Sequence, residues 1–392
     1  KIMFLFLFFI SSFAFFMGIL NALGEFFLPA IAPTLWNLAM VISTVWPVRW
    51  LSRESAHFGD QLAWGVVIGG VLQCLILIPA LHRKGYFPKL TTQFKNPDVN
   101  RVFRNMIPGL IGTGLLQFTT VINLRFSSSL NEGTISYINY IDRLVELPLS
   151  LISVSLGTAL LPSLSKLWSQ NSKEAMAEES RKYLELNLLI SIAAACGLYS
   201  LAQPIVQLLF GRGHFSLNDV IIASQILKTY CWILIFASGV RVLTPAYYAV
   251  KNTWLPATIS AGCFVVHIFL APFLMSKYQV HGLMISTMTT AGINMLMLLV
   301  LYNKFIYKFH YKQYMINVSK FTLVGALVFA ITQIYYLMEG SFPSNTLGIG
   351  LNLLLTLMAA GAMFIVACHF LKVDFVHEVM NKIQARLKRT KK

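Results

Sequence analysis

Charge is scarce in this sequence. Only 12% of its 392 residues are Asp, Glu, Lys or Arg, about half the share of an ordinary soluble domain. Acidic groups are the scarcer kind, 15 against 31 basic ones. The five cysteines, Cys74, Cys196, Cys231, Cys263 and Cys368, are odd in number and have no close pairs. That pattern excludes a disulfide framework and a Cys-based zinc knuckle. Each lies in an apolar run and reads as a small buried hydrophobe. The eight histidines show no HxxxH spacing, and there is no GxxxxGK phosphate loop, no GxGxxG turn and no GxSxG elbow. No common soluble catalytic chemistry is therefore expected.

What replaces the charge is hydrocarbon. Hydrophobic residues make up 56% of the chain, arranged in long runs. A run of about 18 or more can cross a bilayer as a helix. Eleven candidate spans follow: 2–24, 28–47, 60–81, 105–127, 135–163, 185–210, 218–249, 255–276, 281–303, 316–338 and 346–371. Pro148 is expected to kink the fifth and Pro245 the seventh. The fold class is all-α, a polytopic membrane protein.

The net charge of +16 does not indicate nucleic acid, because the basic residues lie in short loops and the tail. Of the 31 Lys and Arg, 22 follow odd-numbered spans or fall in the C-terminal tail, and five lie on the other side. The bias predicts odd loops and C-terminus in the cytoplasm, with residue 1 outside. A chain entering the membrane at once from outside implies an odd number of spans upstream. The tail also repeats apolar residues at helical spacing (Phe375, Val376, Val379, Met380, Ile383, Leu387) among six Lys and Arg. An amphipathic surface helix and a solvated tail both fit that pattern.

A short repeat counts the missing spans. Ala22-Leu23-Gly24-Glu25-Phe26-Phe27-Leu28-Pro29-Ala30 parallels Ala249-Val250-Lys251-Asn252-Thr253-Trp254-Leu255-Pro256-Ala257. Each joins two spans and puts Pro in the first turn of the next helix, where its missing N–H costs nothing. If two six-helix bundles are fused, spans 1–2 match spans 7–8 and three upstream helices are lacking.

Only Asp142 and Glu146 place acid deep in a span. Ser136, Asn139, Arg143, Glu146 and Ser150 recur at intervals of 3, 4, 3 and 4, one face of a helix, with Asp142 on its border. Intramembrane charge needs a partner or a hydrated cavity. Two readings stay open: an internally paired cluster in which Glu146 neutralises Arg143, or a stripe lining a cavity for an anionic substrate. Arg241, near Pro245, is a further cavity candidate. His267 is lone in its span and reads as a buried hydrogen-bonding group.

Three segments carry a family resemblance. Gly133-Thr134-Ile135-Ser136-Tyr137-Ile138-Asn139-Tyr140-Ile141-Asp142-Arg143-Leu144, with the Leu160-Leu161-Pro162-Ser163-Leu164-Ser165 block, resembles the MurJ/MviN lipid II flippases, within the multidrug and oligosaccharidyl-lipid exporter superfamily. Phe27-Leu28-Pro29-Ala30 and Val242-Leu243-Thr244-Pro245-Ala246 resemble the family's fourth-to-fifth helix turn and tenth helix. The resemblance implies a two-lobe exporter architecture, with about 11 transmembrane helices here of 14 in the complete fold. The divisions are then 1–81, the rest of an N-terminal lobe; 82–104, a basic cytoplasmic loop; 105–303, a C-terminal lobe; 304–371, a helix pair forming a lipid-tail groove; and 372–392, a basic tail.

It further implies that Arg143, Asp142, Glu146 and Ser136 line a central cavity, with Arg143 touching substrate. Asn139 joins them from the stripe reading, and Arg241 from its place near Pro245. Some relatives hold sodium on their seventh and eleventh helices. The matching positions here are Asn123, His267 and Ala271, which leaves Asn123 and His267 as candidates for a cation site. Glu25 and Asn252 depart from residues more often basic and acidic in the family. The implied protein is a transporter without cofactor, driven by membrane potential or an ion gradient. It moves lipid II across the bacterial inner membrane among bilayer lipids and cell-wall synthesis proteins. Alternatives are an exporter of drugs or other polyprenyl-linked oligosaccharides, a membrane glycosyltransferase, or an inactive scaffold. The glycosyltransferase is disfavoured because outside acids are scattered: Glu54, Asp60, Glu132, Asp219 and Glu339.

Overall fold

A computed structural model describes residues 2–45, 58–86, 118–343 and 345–371. Every regular element among them is helical. Seven helices are long and apolar enough to cross a bilayer, or eight if the bent pair near residue 231 is one span. The chain divides into two compact units, Lys1–Val102 and Phe103–Lys392. Most of the expected 105–127 span, most of the 82–104 loop and the whole amphipathic tail fall outside the described residues.

The first unit contains α1 (Phe4–Ala22), α2 (Phe27–Val45), α3 (Phe58–Leu75) and α4 (Ile78–Arg83). Helix α1 has no charged residue, and Phe4, Phe8 and Phe15 stay exposed at its surface, as lipid-facing side chains do. Between helices in lipid, close packing rather than water exclusion supplies the attraction. Here α3 provides it with Gly65 and Gly69, four apart on one face. A Cβ at Gly65 would meet Ser43, and one at Gly69 would lie 2.9 Å from the Trp36 Cα. Only glycine lets α2 and α3 approach this closely.

In the second unit α5 spans 118–127 and α6 is Thr134–Pro148. A π-helical turn, Leu149–Val154, carries α6 into α7 (Ser155–Ser169). The disturbance expected at Pro148 thus takes the form of a wide turn just after it. Helix α8 (Lys173–Ser200) meets α9 (Ala202–Phe210) at Leu201. The stretch 164–184, expected as a loop, is largely helical. Arg181 pairs with Glu178 and Glu185 one turn either side, which holds the charged end of α8 in helix.

Helices α10 (Leu217–Tyr230) and α11 (Ile233–Ala249) meet at 45°. A bend therefore lies at Cys231 and Trp232, and α11 continues as helix through Pro245. Proline removes the N–H that would bond the carbonyl of Arg241. Gly157 of α7 packs so close to that carbonyl that a Cβ there would lie 2.9 Å from it.

Helix α12 (Trp254–Phe305) holds the two expected spans 255–276 and 281–303, separated at Gln279, whose φ is 50° and ψ −128°. Asn294 donates to Ser260 at 3.1 Å and Ser286 lies 2.9 Å from His267, so the two halves run back against each other. Helix α13 (Tyr311–Thr332), the short α14 (Ile334–Leu337) and α15 (Thr346–Phe370) complete the chain. Helix α11 packs on α7, α8 and α12, and α13 lies along α8 and α15.

Two apolar cores result. One joins Leu164, Leu189, Leu243, Leu298 and Val324; the other joins Ile141, Val145, Ile226, Leu234 and Leu283. Buried polar groups tie the helices across these cores. Asn187 and Ser191 both donate to Ser238, at 2.8 and 2.9 Å, and Tyr302 donates to Ser180 at 2.8 Å.

Candidate functional site

Helix α6 starts at Gly133, whose φ of +84° turns the chain into it. Ile141, Leu144 and Val145 are buried in the second core. That fixes the rotation of the helix. Ser136, Asn139, Asp142, Arg143 and Glu146 are left on the exposed face.

The charges on this face are not paired as the clustered reading expects. Glu146 turns away from Arg143 and meets Arg241 of α11, with Oε1 to Nη1 at 3.3 Å. The second guanidinium nitrogen lies 3.4 Å from both carboxylate oxygens. Asp142 faces the Tyr230 hydroxyl of α10. Asn139 donates to the carbonyl of Ile135 at 2.9 Å. Arg143 makes no hydrogen bond or ion pair with any described residue, and it is exposed. Both neighbouring acids face groups on other helices, so among the described residues no hydrogen-bond partner occupies the guanidinium.

The expected site residues thus fall into two groups. Ser136, Asn139, Asp142, Arg143 and Glu146 share one face, and α11 brings Arg241 to it. Asn123 and His267 meet elsewhere: the imidazole Nε2 lies 2.7 Å from Asn123 Oδ1, and Nδ1 lies 2.9 Å from Ser286 Oγ. An amide oxygen only accepts, so Nε2 carries the proton and Nδ1 accepts from Ser286. Both nitrogens are then engaged, and His267 is 1% exposed. The pair joins α5 to both halves of α12. Among the described residues no three His, Cys, Asp or Glu side chains gather as a metal site would require.

Sequence reasoning missed Tyr230, the partner of Asp142. It also missed Arg181, which is 8% exposed and lies between Glu178 and Glu185. Tyr230 has no local signal, being 88 residues from its partner. Arg181 had one, in Glu178-x-x-Arg181-x-x-x-Glu185 at helical spacing. A third feature is an apolar groove of about 660 Å³ between α8, α11, α12 and α13, whose walls include Ile192, Trp232, Phe236, Met295, Val318 and Phe329.

These features define a class: an all-helical, multi-span membrane protein with an exposed charged track on one helix and an apolar groove in the same unit. A family model described as "Lipid II flippase MurJ" matches residues 1–358. The chain belongs to the MurJ lipid II flippase family. It is 47% identical over 338 residues to the "Probable lipid II flippase MurJ" of Bdellovibrio bacteriovorus, covering 86% of this chain and 64% of that one. It is 33% identical over 270 residues to the "Lipid II flippase MurJ" of Burkholderia cenocepacia, covering 68% and 52%. The chain therefore spans roughly half to two thirds of the length of these relatives. A solved structure titled "Lipid II flippase MurJ, inward closed conformation" shares the fold at a TM-score of 0.73 and 24% identity, over 94% of this chain and 72% of that one. A MATE transporter of Vibrio cholerae shares it at a TM-score of 0.51 and 14% identity, over 74% and 65%.

Proposed function

We propose that the protein carrying this chain translocates lipid II, the polyprenyl-pyrophosphate-linked peptidoglycan precursor, across the bacterial inner membrane. It acts as a transporter and makes or breaks no covalent bond. The observation that carries the proposal is Arg143, an exposed guanidinium whose two acidic neighbours are already engaged. A rigid cationic fork holds a pyrophosphate bidentately and does not deprotonate. Arg241 adds a second cation, loosely held by Glu146 at 3.3 Å. The apolar groove along α13 supports the tail-binding role of the 304–371 helix pair, with Phe329 and Val318 offering hydrocarbon to a polyprenyl chain.

The mechanism is alternating access. The head group moves past the α6 track while the tail stays in lipid. Binding and release at a central anionic site are driven by membrane potential or an ion gradient. The C-terminus lies in the cytoplasm. A cysteine at Ser341 is reached by an impermeant label from outside, and one at Ser172 is not; the reverse pattern overturns this orientation. The function itself is tested in proteoliposomes containing the native protein and fluorescent lipid II. Protein-dependent movement of lipid II between leaflets supports it. Absence of movement, with a correctly folded protein, overturns it.

A further inference from the structure

Glu146 is acidic, yet it stands on the face that would receive an anionic head group. The translocation scheme gives it no work beyond holding Arg241. Its reach and the quality of its contact say more.

Glu146 and Arg143 lie three residues apart on α6, neighbours on the helix surface with Cβ atoms about 5–6 Å apart. Glu146 nonetheless meets Arg241, 95 residues along the chain on α11. One carboxylate is therefore within reach of two guanidinium groups from different helices. Asp142 cannot replace it, because that side chain faces Tyr230 of α10.

The contact itself is loose. Both carboxylate oxygens take part, at 3.3 and 3.4 Å, against about 2.7–2.9 Å for a tight charge-assisted bond. The Arg241 and Glu146 side chains are 35% and 51% exposed. A pair this long and this wet adds little to the fold. It is easily exchanged.

A phosphate group offers oxygens to a guanidinium as a carboxylate does. A pyrophosphate held between Arg143 and Arg241 would take the place that Glu146 takes here. Two anions do not share that place, because like charges a few ångströms apart repel. We propose that Glu146 is an exchangeable counter-ion for the transport cycle. It yields Arg241 to the pyrophosphate of the head group and, by taking Arg241 back, drives the head group off. This rests on the flippase reading for the identity of the anion. Glu146 is a positioning residue, acting through Arg241. It lowers affinity and speeds release, since release rather than encounter sets most differences in affinity.

The test is calorimetric titration of inorganic pyrophosphate into the native protein in detergent, beside lipid II movement in vesicles. Glu146→Gln keeps the shape of the side chain and removes its charge. It should bind pyrophosphate about threefold more tightly, the weight of one exposed ion pair. In vesicles it should half-saturate at less lipid II and move it about threefold more slowly at saturation. Arg241→Ala should bind pyrophosphate more weakly than the wild type, and adding Glu146→Gln to it should recover part of the loss. That second comparison needs no intact ion pair, so it decides the matter even where Glu146→Gln alone folds poorly. A simple brace between α6 and α11 predicts lower stability in Glu146→Gln, unchanged affinity and no recovery in the double variant. Weaker or equal pyrophosphate binding by Glu146→Gln, or no recovery, overturns the proposal. The same preparations separate it from the flippase reading. Lipid II movement with equal pyrophosphate affinity in the wild type and Glu146→Gln sinks the counter-ion alone. Tighter binding by Glu146→Gln, with no lipid II movement even by the wild type, sinks the flippase reading and leaves Glu146 as the counter-ion of an anion site.

Discussion

Arg143 on α6 and Arg181 on α8 belong to the same unit and are built into opposite settings. Arg181 is 8% exposed, donates to Glu178 at 3.0 and 2.7 Å, and lies 2.5 Å from Glu185. Glu185 in turn faces Asn317 of α13, so the cluster lies between two helices. Arg143 is exposed, and its neighbouring acids face Tyr230 and Arg241. A guanidinium inside a closed network serves the fold. One whose neighbours are occupied and whose own donors are open is free to meet a ligand, the role proposed for Arg143. Charge in a membrane protein is therefore assigned to structure or to transport by its partners rather than by its depth.

The contrast can be broken experimentally, and the largest effect on stability belongs to Arg181. Arg181→Ala leaves the buried Glu185 without its cation, a cost of about 3–5 kcal/mol, while the half-exposed Glu178 keeps Lys182 at 3.7 Å. Protein levels in the membrane should collapse. Replacing all three together, Arg181→Met with Glu178→Gln and Glu185→Gln, should restore them; persistent loss would mean that the charges do more than balance one another. Arg241→Ala comes next. Its pair with Glu146 is half exposed, so stability should change by less than about 1 kcal/mol. Lipid II movement should fall by about tenfold, since Glu146 is then free to pair with Arg143 and compete with substrate. Unchanged transport would remove Arg241 from the track.

The smallest effect sharpens a second comparison, between the two repeated turns. After α1, Gly24 takes a φ of +77°; after α11, Lys251 takes +61° at the matching place. The amide of Glu25 bonds the carbonyl of Leu20 at 2.9 Å, and that of Asn252 bonds Tyr247 at 3.0 Å, six residues spanned in each. A side chain in this left-handed conformation costs about 1 kcal/mol that glycine avoids. Lys251→Gly should raise thermal stability by that order. A loss of stability would mean that Lys251 makes a contact outweighing the strain.

Much of this was legible in the residues, for physical reasons. Bilayer thickness sets the length of apolar runs, so α1, α2, α3 and both halves of α12 lie close to their expected places. The 3.6-residue period put Ser136, Asn139, Arg143 and Glu146 on one face, and burial of Ile141 and Val145 turned that face outward. The two turns kept both sequence and geometry. What stayed hidden depended on partners far along the chain. Glu146 finds Arg241 across 95 residues, and Asp142 finds Tyr230. The 45° bend at Cys231 and Trp232 had no proline or glycine to announce it. No local period encodes such contacts.

The most direct measurement is lipid II movement in vesicles containing Arg143→Ala, Arg143→Lys and the double variant Arg143→Ala with Glu146→Ala, each normalised to folded protein. If Arg143 grips the pyrophosphate, all three fold at near-normal levels. Alanine abolishes movement, lysine retains part of it because charge survives without the bidentate fork, and the double variant stays inactive. A well-folded double variant that moves lipid II at the normal rate would contradict the assignment of Arg143 as a substrate ligand.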